Sequence, residues 1–269
     1  MRSLEGLAAR LEALYAEFNR PLLIGDDPLG CVRPYANPAD REVAALVAAV
    51  CAFGNVKQIS ASIRLALAVF GQQPAQALRD ISEAELVQAL GGWRHRWANG
   101  RHLANLLIAA RSASERYGSL GAAWIRARRA EDADAHDTLQ RWVLMLCECG
   151  LRRDNPLVPQ PDRGSACKRL HLLLRWLVRC DAVDPGGWPD DPSRLLVPLD
   201  VHMLRIARAL RFTRRKAADL KAAREVTRRF RLIRPDDPVR YDFALTRLPI
   251  HQRWSLPEIR RYLLDVVHR

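Results

Sequence analysis

The chain has 269 residues, 49% of them apolar, enough to bury a substantial core without covalent staples. Its 43 Lys and Arg against 30 Asp and Glu leave a net charge of +13, which excludes an acidic solvating protein and favours a polyanionic partner. The six cysteines lie mostly inside apolar, helix-like runs, where a free thiol acts as a small hydrophobe, so a disulfide-stapled secreted fold is excluded as well.

The first segment, LEGLAARLEALYAEF, repeats its apolar residues at i, i+3, i+4 and i+7, the period of a helix packed on one face. Acidic residues interrupt every apolar stretch there, so neither a signal peptide nor a membrane span is expected, and the predicted location is cytoplasmic, beside the nucleoid. After a break at GDDPLG, REVAALVAAVCAF forms a second helix, and Asn55, Lys57 and Gln58 fall at the junction with the next one, ASIRLALAVF. Ser82 with Glu85 is a capping box ahead of an apolar run. Trp93 and Trp97 stand in the turn-like GGWRHRW, before the helices LANLLIAARSASERY and TLQRWVLMLCE. Cys147 and Cys149 are one residue apart, with no second pair or nearby histidine to complete a familiar zinc spacing, so no metal and no cofactor is expected.

Beyond this point the charge changes. Residues 1–149 carry 17 basic and 16 acidic side chains, whereas 150–269 carry 26 and 14, so a net +1 precedes a net +12. A basic half of this kind attracts nucleic acid and makes binding salt-dependent. The turn-rich NPLVPQPDRG leads to Ser165, which is placed to cap the helix ACKRLHLLLRWLVRC and so puts Lys168 in its first turn. His171, Arg175 and Arg179 follow at helical intervals as a basic face beside Arg169, while Leu170, Leu173, Leu174 and Leu177 face the core. Only four of the 43 basic residues are lysines: Lys57, Lys168, Lys216 and Lys221. A primary amine can lose its proton and form a Schiff base, which a guanidinium effectively cannot, so a lysine here suits a nucleophile as well as a phosphate contact. The loop DPGGWPDDP, with Trp188, then leads to PLDVHMLRIARAL, whose Asp200 is placed as a helix N-cap. Asp237–Pro238 marks a further helix start, and Ser255 with Glu258 a second capping box. Ten to twelve helices, almost no strand signal and no solenoid repeat make the fold class all-α.

The run PLDVHMLRIARAL resembles the segment of helix-hairpin-helix DNA glycosylases in which a helix-opening aspartate is followed by a histidine and an arginine, here Asp200, His202 and Arg205. In that superfamily the aspartate is catalytic and an upstream lysine is the nucleophile of the lyase-competent members. Two features depart from the best-known pattern: no glycine-rich L-P-G-V-G hairpin precedes Lys168, and 32 positions (200 minus 168) separate it from Asp200. Both are similar to the archaeal 8-oxoguanine glycosylase branch. Across most of its length the chain also resembles an uncharacterised bacterial family marked by NPADREVAALVAAVCAFGNVKQI, GSACKRLHLLLRWLVR, PLDVH and DPVRYDFAL.

The resemblance implies one two-lobed, multi-helix unit over residues 1–269, with an atypical hairpin and its catalytic segment at 159–210. It further implies a monomer acting on damaged double-stranded DNA through Lys168 and Asp200. Arg169, His171, Arg175, Arg179, His202 and Arg205 would contact DNA. Asn55, Lys57 and Gln58 would fill the gap left by a flipped nucleotide, which would stack on Trp188 first, or on Trp93 or Trp97. Two other readings compete: a non-catalytic nucleic-acid binder of the same fold, and an RNA-directed protein using the ten basic residues of 211–234.

Overall fold

The computed structural model describes residues 2–250 and 252–264. Thirteen α-helices occur among them: α1 (Arg2–Phe18), α2 (Pro38–Val50), α3 (Val56–Ala68), α4 (Pro74–Asp80), α5 (Glu83–Ala89), α6 (Gly100–Tyr117), α7 (Leu120–Ala127), α8 (Ala135–Glu148), α9 (Lys168–Val178), α10 (Val201–Ala209), α11 (Leu220–Arg231), α12 (Asp242–Ile250) and α13 (Leu256–Leu264). The described strands are a two-residue pair, β1 (Arg94–His95) antiparallel to β2 (Ala98–Asn99), so the all-α expectation holds. No described helix is long and apolar enough to cross a membrane.

Capping chemistry sets most helix starts. Asn37, Asn55, Ser82, Asn99, Ser119, Asp134, Asp200 and Asp219 each accept a backbone N–H of the helix that follows. The Ser82–Glu85 box is complete, and Glu258 Oε2 accepts both the backbone N–H and the hydroxyl of Ser255. Helix α9 differs. Ser165 does not cap it but accepts the N–H of Cys167, and Cys167 itself precedes the helix at φ +44°, a left-handed conformation unusual for a side-chain-bearing residue. The helix expected at Asp237–Pro238 starts instead at Asp242, because the Asp237 carboxylate is engaged by Arg179.

The buried apolar side chains form one continuous cluster from Leu7 to Leu263, with α2 lying against α9. Residues 170–178 of α9 are all buried, His171 and Arg175 included. The expected basic face is therefore interior, since α9 is surrounded on every side and carboxylates arrive from later segments to neutralise it. Arg175 pairs with Asp184 and Asp242, and Arg179 with Asp181, Asp184 and Asp237. Neither arginine can reach DNA.

His171 is equally removed from solvent. Its ring stacks on His136 with centroids 5.4 Å apart, its Nε2 lies 3.1 Å from His136 Nδ1, and His136 Nε2 donates to the Pro161 carbonyl. That chain of bonds makes His171 Nε2 the donor and leaves its buried Nδ1 unprotonated and without a partner among the described residues. Burial pushes the His171 imidazole down to about 3 and lowers His136 as well. The unfolded chain takes up a proton near pH 6.5 that the folded chain refuses, so stability falls as pH drops below that value. The loss between pH 6.5 and 5 should be about 2 kcal/mol. Thermal midpoints measured from pH 7.5 to 5 should fall more steeply for the wild type than for His171→Gln, and parallel curves would contradict this account.

Trp188 is also core. It packs between Trp124 and Trp142, with centroids 5.9 Å from each, and donates its indole N–H to buried Glu42 at 2.7 Å. Glu42 in turn accepts the first N–H groups of α7, from Leu120 and Gly121. Gly121 is required here, because a Cβ would stand 2.7 Å from the Trp188 ring. Trp93 is likewise buried, its indole donating to the Ser62 carbonyl at 2.8 Å. Neither tryptophan presents a face to a flipped base.

Candidate active site

Lys168 is the first residue of α9 and Asp200 the N-cap of α10, and the fold brings them together across 32 positions of sequence (200 minus 168). The Lys168 Nζ lies 3.4 Å from Asp200 Oδ2, and both side chains are about one-third exposed. Asp200 uses its two oxygens differently. Oδ1 accepts the N–H groups of His202 and Met203 at 2.9 Å each, holding the carboxylate at the helix start, while Oδ2 faces the lysine. Capping and a role beside the amine are therefore compatible in one side chain.

The left-handed Cys167 turns the chain directly into Lys168, and Arg169 is bolted next to it. The Arg169 guanidinium donates to the carbonyls of Val50 and Pro156 and lies 4.5 Å from the centroid of the Phe53 ring. These contacts tie the start of α9 to the end of α2, so Arg169 is a clamp rather than a free phosphate contact. Burial away from any carboxylate lowers its affinity for its proton.

Lys168 and Asp200 line a cavity of about 700 Å³, within the size range of small-molecule pockets. Val56, Ile59, Leu172, Met203 and Ile206 supply apolar wall. The floor is charged but compensated: Arg175 pairs with Asp242, and Arg247 with Asp27 at 3.0 Å. Burial, reinforced by Asp200, raises the Asp242 carboxyl above its usual range, against the pull of Arg175. Asp27, Asp242 and Arg247 also line the cavity, and none of them was placed in the site from sequence, where Asp242 reads as a capping or packing group. Asp27 sits in a turn-like break, and the others lie in an apolar run where only the tertiary pairing reveals them.

His202 lines the cavity and is exposed, and Arg205 is exposed one turn further along α10. Gly54 and Val56 belong to the wall, which leaves Asn55, Lys57 and Gln58 exposed beside it, with Asn55 also capping α3. Trp97 is 61% exposed and stacks at 4.9 Å on Phe53, which lines the cavity. Of the three tryptophans singled out in the sequence, it alone is solvent-facing and next to this site.

No curated protein and no solved structure matches the chain. Residues 27–251, a span that takes in every residue lining the cavity from Asp27 to Ile250, match a family described as "Protein of unknown function (DUF2400)". This chain is a member of the DUF2400 family.

Proposed function

We propose that the protein is a DNA glycosylase with AP-lyase activity, excising an oxidised, 8-oxoguanine-like base from duplex DNA through a Schiff base on Lys168. The observation that carries this reading is the arrangement of the pair: a primary amine and a carboxylate oxygen 3.4 Å apart, in the wall of a cavity of about 700 Å³, room enough for an extruded nucleotide. Asp200 Oδ2 is placed to take a proton from the amine, whose nitrogen then bonds to the sugar C1′ while the glycosidic bond breaks and its electron pair leaves with the base. Asp200 does this without reorganising, because its other oxygen is fixed by α10. Breaking the C1′–O4′ bond opens the ring to an imine, and loss of the C2′ proton to solvent then forms a C2′–C3′ double bond as the C3′–O bond breaks and the 3′ phosphate leaves. The extruded base would lie against Ile59, Leu172 and Met203, with the polar floor reading its edge.

Under the same reading the helices form a two-lobed glycosylase-like fold, and the segment 149–167 takes the place of a glycine-rich hairpin. His202, Arg205, Asn55, Lys57 and Gln58 surround the entrance as phosphate and strand contacts.

The test is a panel of duplexes, each with one damaged base or an abasic site, read for base release by the wild type and by Asp200→Asn. The amide oxygen can still accept from His202 and Met203, so the variant should fold and melt like the wild type, yet release base slower by on the order of 10²–10³. A variant that keeps its activity but loses about 1 kcal/mol of stability would make Asp200 a helix cap and nothing more.

A further inference from the structure

We infer that the groove between the C-terminal end of α10 and α11 is a second binding site, for the phosphodiester backbone of the duplex whose damaged nucleotide sits at Lys168. The inference rests on the function proposed above for that site. The groove encloses about 1150 Å³ and is lined by Arg208, Arg211, Arg214, Arg215, Arg228 and Arg229. Arg215 is neutralised by Asp219, 2.5 Å away. The other five are exposed and form no ion pair with any described residue.

Many arginines elsewhere have a partner. Arg152, Arg153 and Arg224 face carboxylates, and Arg33, Arg41 and Arg111 donate to backbone carbonyls. Glu225 also lines the groove, its Oε2 accepting the Thr213 hydroxyl at 2.6 Å, and one carboxylate cannot offset five guanidinium charges. Five like charges facing one another across a cleft repel, and a bound polyanion is what relieves that repulsion.

The backbone supplies a second observation. Helix α10 ends with the Phe212 N–H donating to the Ala207 carbonyl and the Arg211 N–H to the Arg208 carbonyl, a paired arrangement that places the residue after the C-cap in the left-handed region. Glycine is the usual occupant there, but here it is Arg211 at φ +59°. The strain is tolerated at the residue that joins the two walls of the groove.

Geometry links the groove to the cavity. Helix α10 opens at Asp200, and His202, Arg205 and Arg208 recur on its exposed face at intervals of three, so an unbroken polar stripe leads from one to the other. Its nine residues span roughly 13 Å, about four base steps along a strand. A duplex seated at the lysine and running along α10 would pass the groove within half a helical turn.

The experiment is a salt titration of binding to an undamaged 20-base-pair duplex, which requires no chemistry at Lys168. Three proteins are compared: the wild type, R208Q/R211Q/R228Q, and a control of equal charge loss, R79Q/R116Q/R126Q, whose arginines are exposed on α4, α6 and α7. The plot of log affinity against log salt should be shallower by about one unit for each arginine removed from the groove, near three in all, and unchanged in the control. Equal slopes for the groove variant and the wild type would overturn the site, as would a control that falls as far. A groove-dependent slope on single-stranded RNA with none on the duplex would overturn it too. Borohydride trapping of the wild type on abasic duplex reports separately on Lys168. A slope difference without trapping removes the lyase and keeps the groove, whereas trapping with equal slopes does the reverse.

Discussion

Lys168→Arg should bind duplex DNA within a few-fold of the wild type and yet leave no borohydride-trapped species on DNA carrying 8-oxoguanine, with strand nicking reduced by on the order of 10³ or more. Borohydride delivers hydride to the imine carbon and converts the transient link between Lys168 and C1′ into a stable amine. A guanidinium at the same position keeps the charge that faces Asp200 and keeps any phosphate contact, but it offers no nitrogen that can lose a proton and bond to carbon. The fold should survive, since Lys168 is one-third exposed and its partner Asp200 is held by α10. Abasic DNA is the more forgiving substrate because its free aldehyde reacts with many amines. Adducts that persist there in Lys168→Arg would come from another amine, such as Lys57, exposed next to Val56 of the cavity wall. If the wild type traps on no damaged duplex while binding is verified in the same tubes, the lyase chemistry is wrong, and a glycosylase using water or a damage-binding protein remains.

The all-α class and most helix starts were readable from the chain because they depend on local chemistry: apolar period, capping side chains and turn residues. Even the pair Lys168 and Asp200 was readable, since each stands at the start of an apolar-periodic helix and a resemblance joined them. What surrounds them was not. His171 and Arg175 follow Lys168 at the spacing of an exposed basic face, and their spacing does not state that α9 is enclosed, because the groups that meet them come from α8, Asp184 and α12. Trp188 stands in a Gly-rich loop of the kind that places functional aromatics, yet its partner is Glu42, 146 positions away. Asp237 followed by proline has the form of a helix start, and a guanidinium from the end of α9 outcompetes the backbone for its carboxylate. In each case a tertiary polar pairing overrode a correct local preference, and the partners, Asp184 excepted, lie far beyond a window of ten residues. Trp97 rests on Phe53 yet stays 61% exposed, and the residues of the α3 start are exposed as expected.

Asp184→Ala should be strongly destabilising, at about 3–5 kcal/mol, lowering the thermal midpoint by roughly 10 °C. Asp184 is fully buried and is the carboxylate shared by both interior arginines: Oδ1 accepts Arg175 Nε at 3.2 Å and Nη2 at 3.1 Å, and Oδ2 accepts Arg179 Nη1. Removing it leaves two guanidinium groups, neither more than 4% exposed, with one carboxylate fewer between them. Arg179 would retain Asp181 and Asp237, and Arg175 would retain only Asp242. The consequence reaches the site because the network is what aims α9. Arg175 lies two turns below Lys168 on the same helix and is tied through Asp242 to α12, while Arg179 ties the helix end to the turn at Asp237. Releasing that end lets α9 shift, and a displacement of about 1 Å at Lys168 can cost on the order of 10² in rate. Asp237→Ala, by contrast, removes a partly exposed member and leaves Asp184 between both arginines, so its effect on the midpoint should be less than half as large. Equal losses for the two variants would mean that the charges are solvated and that α9 is positioned by apolar packing alone.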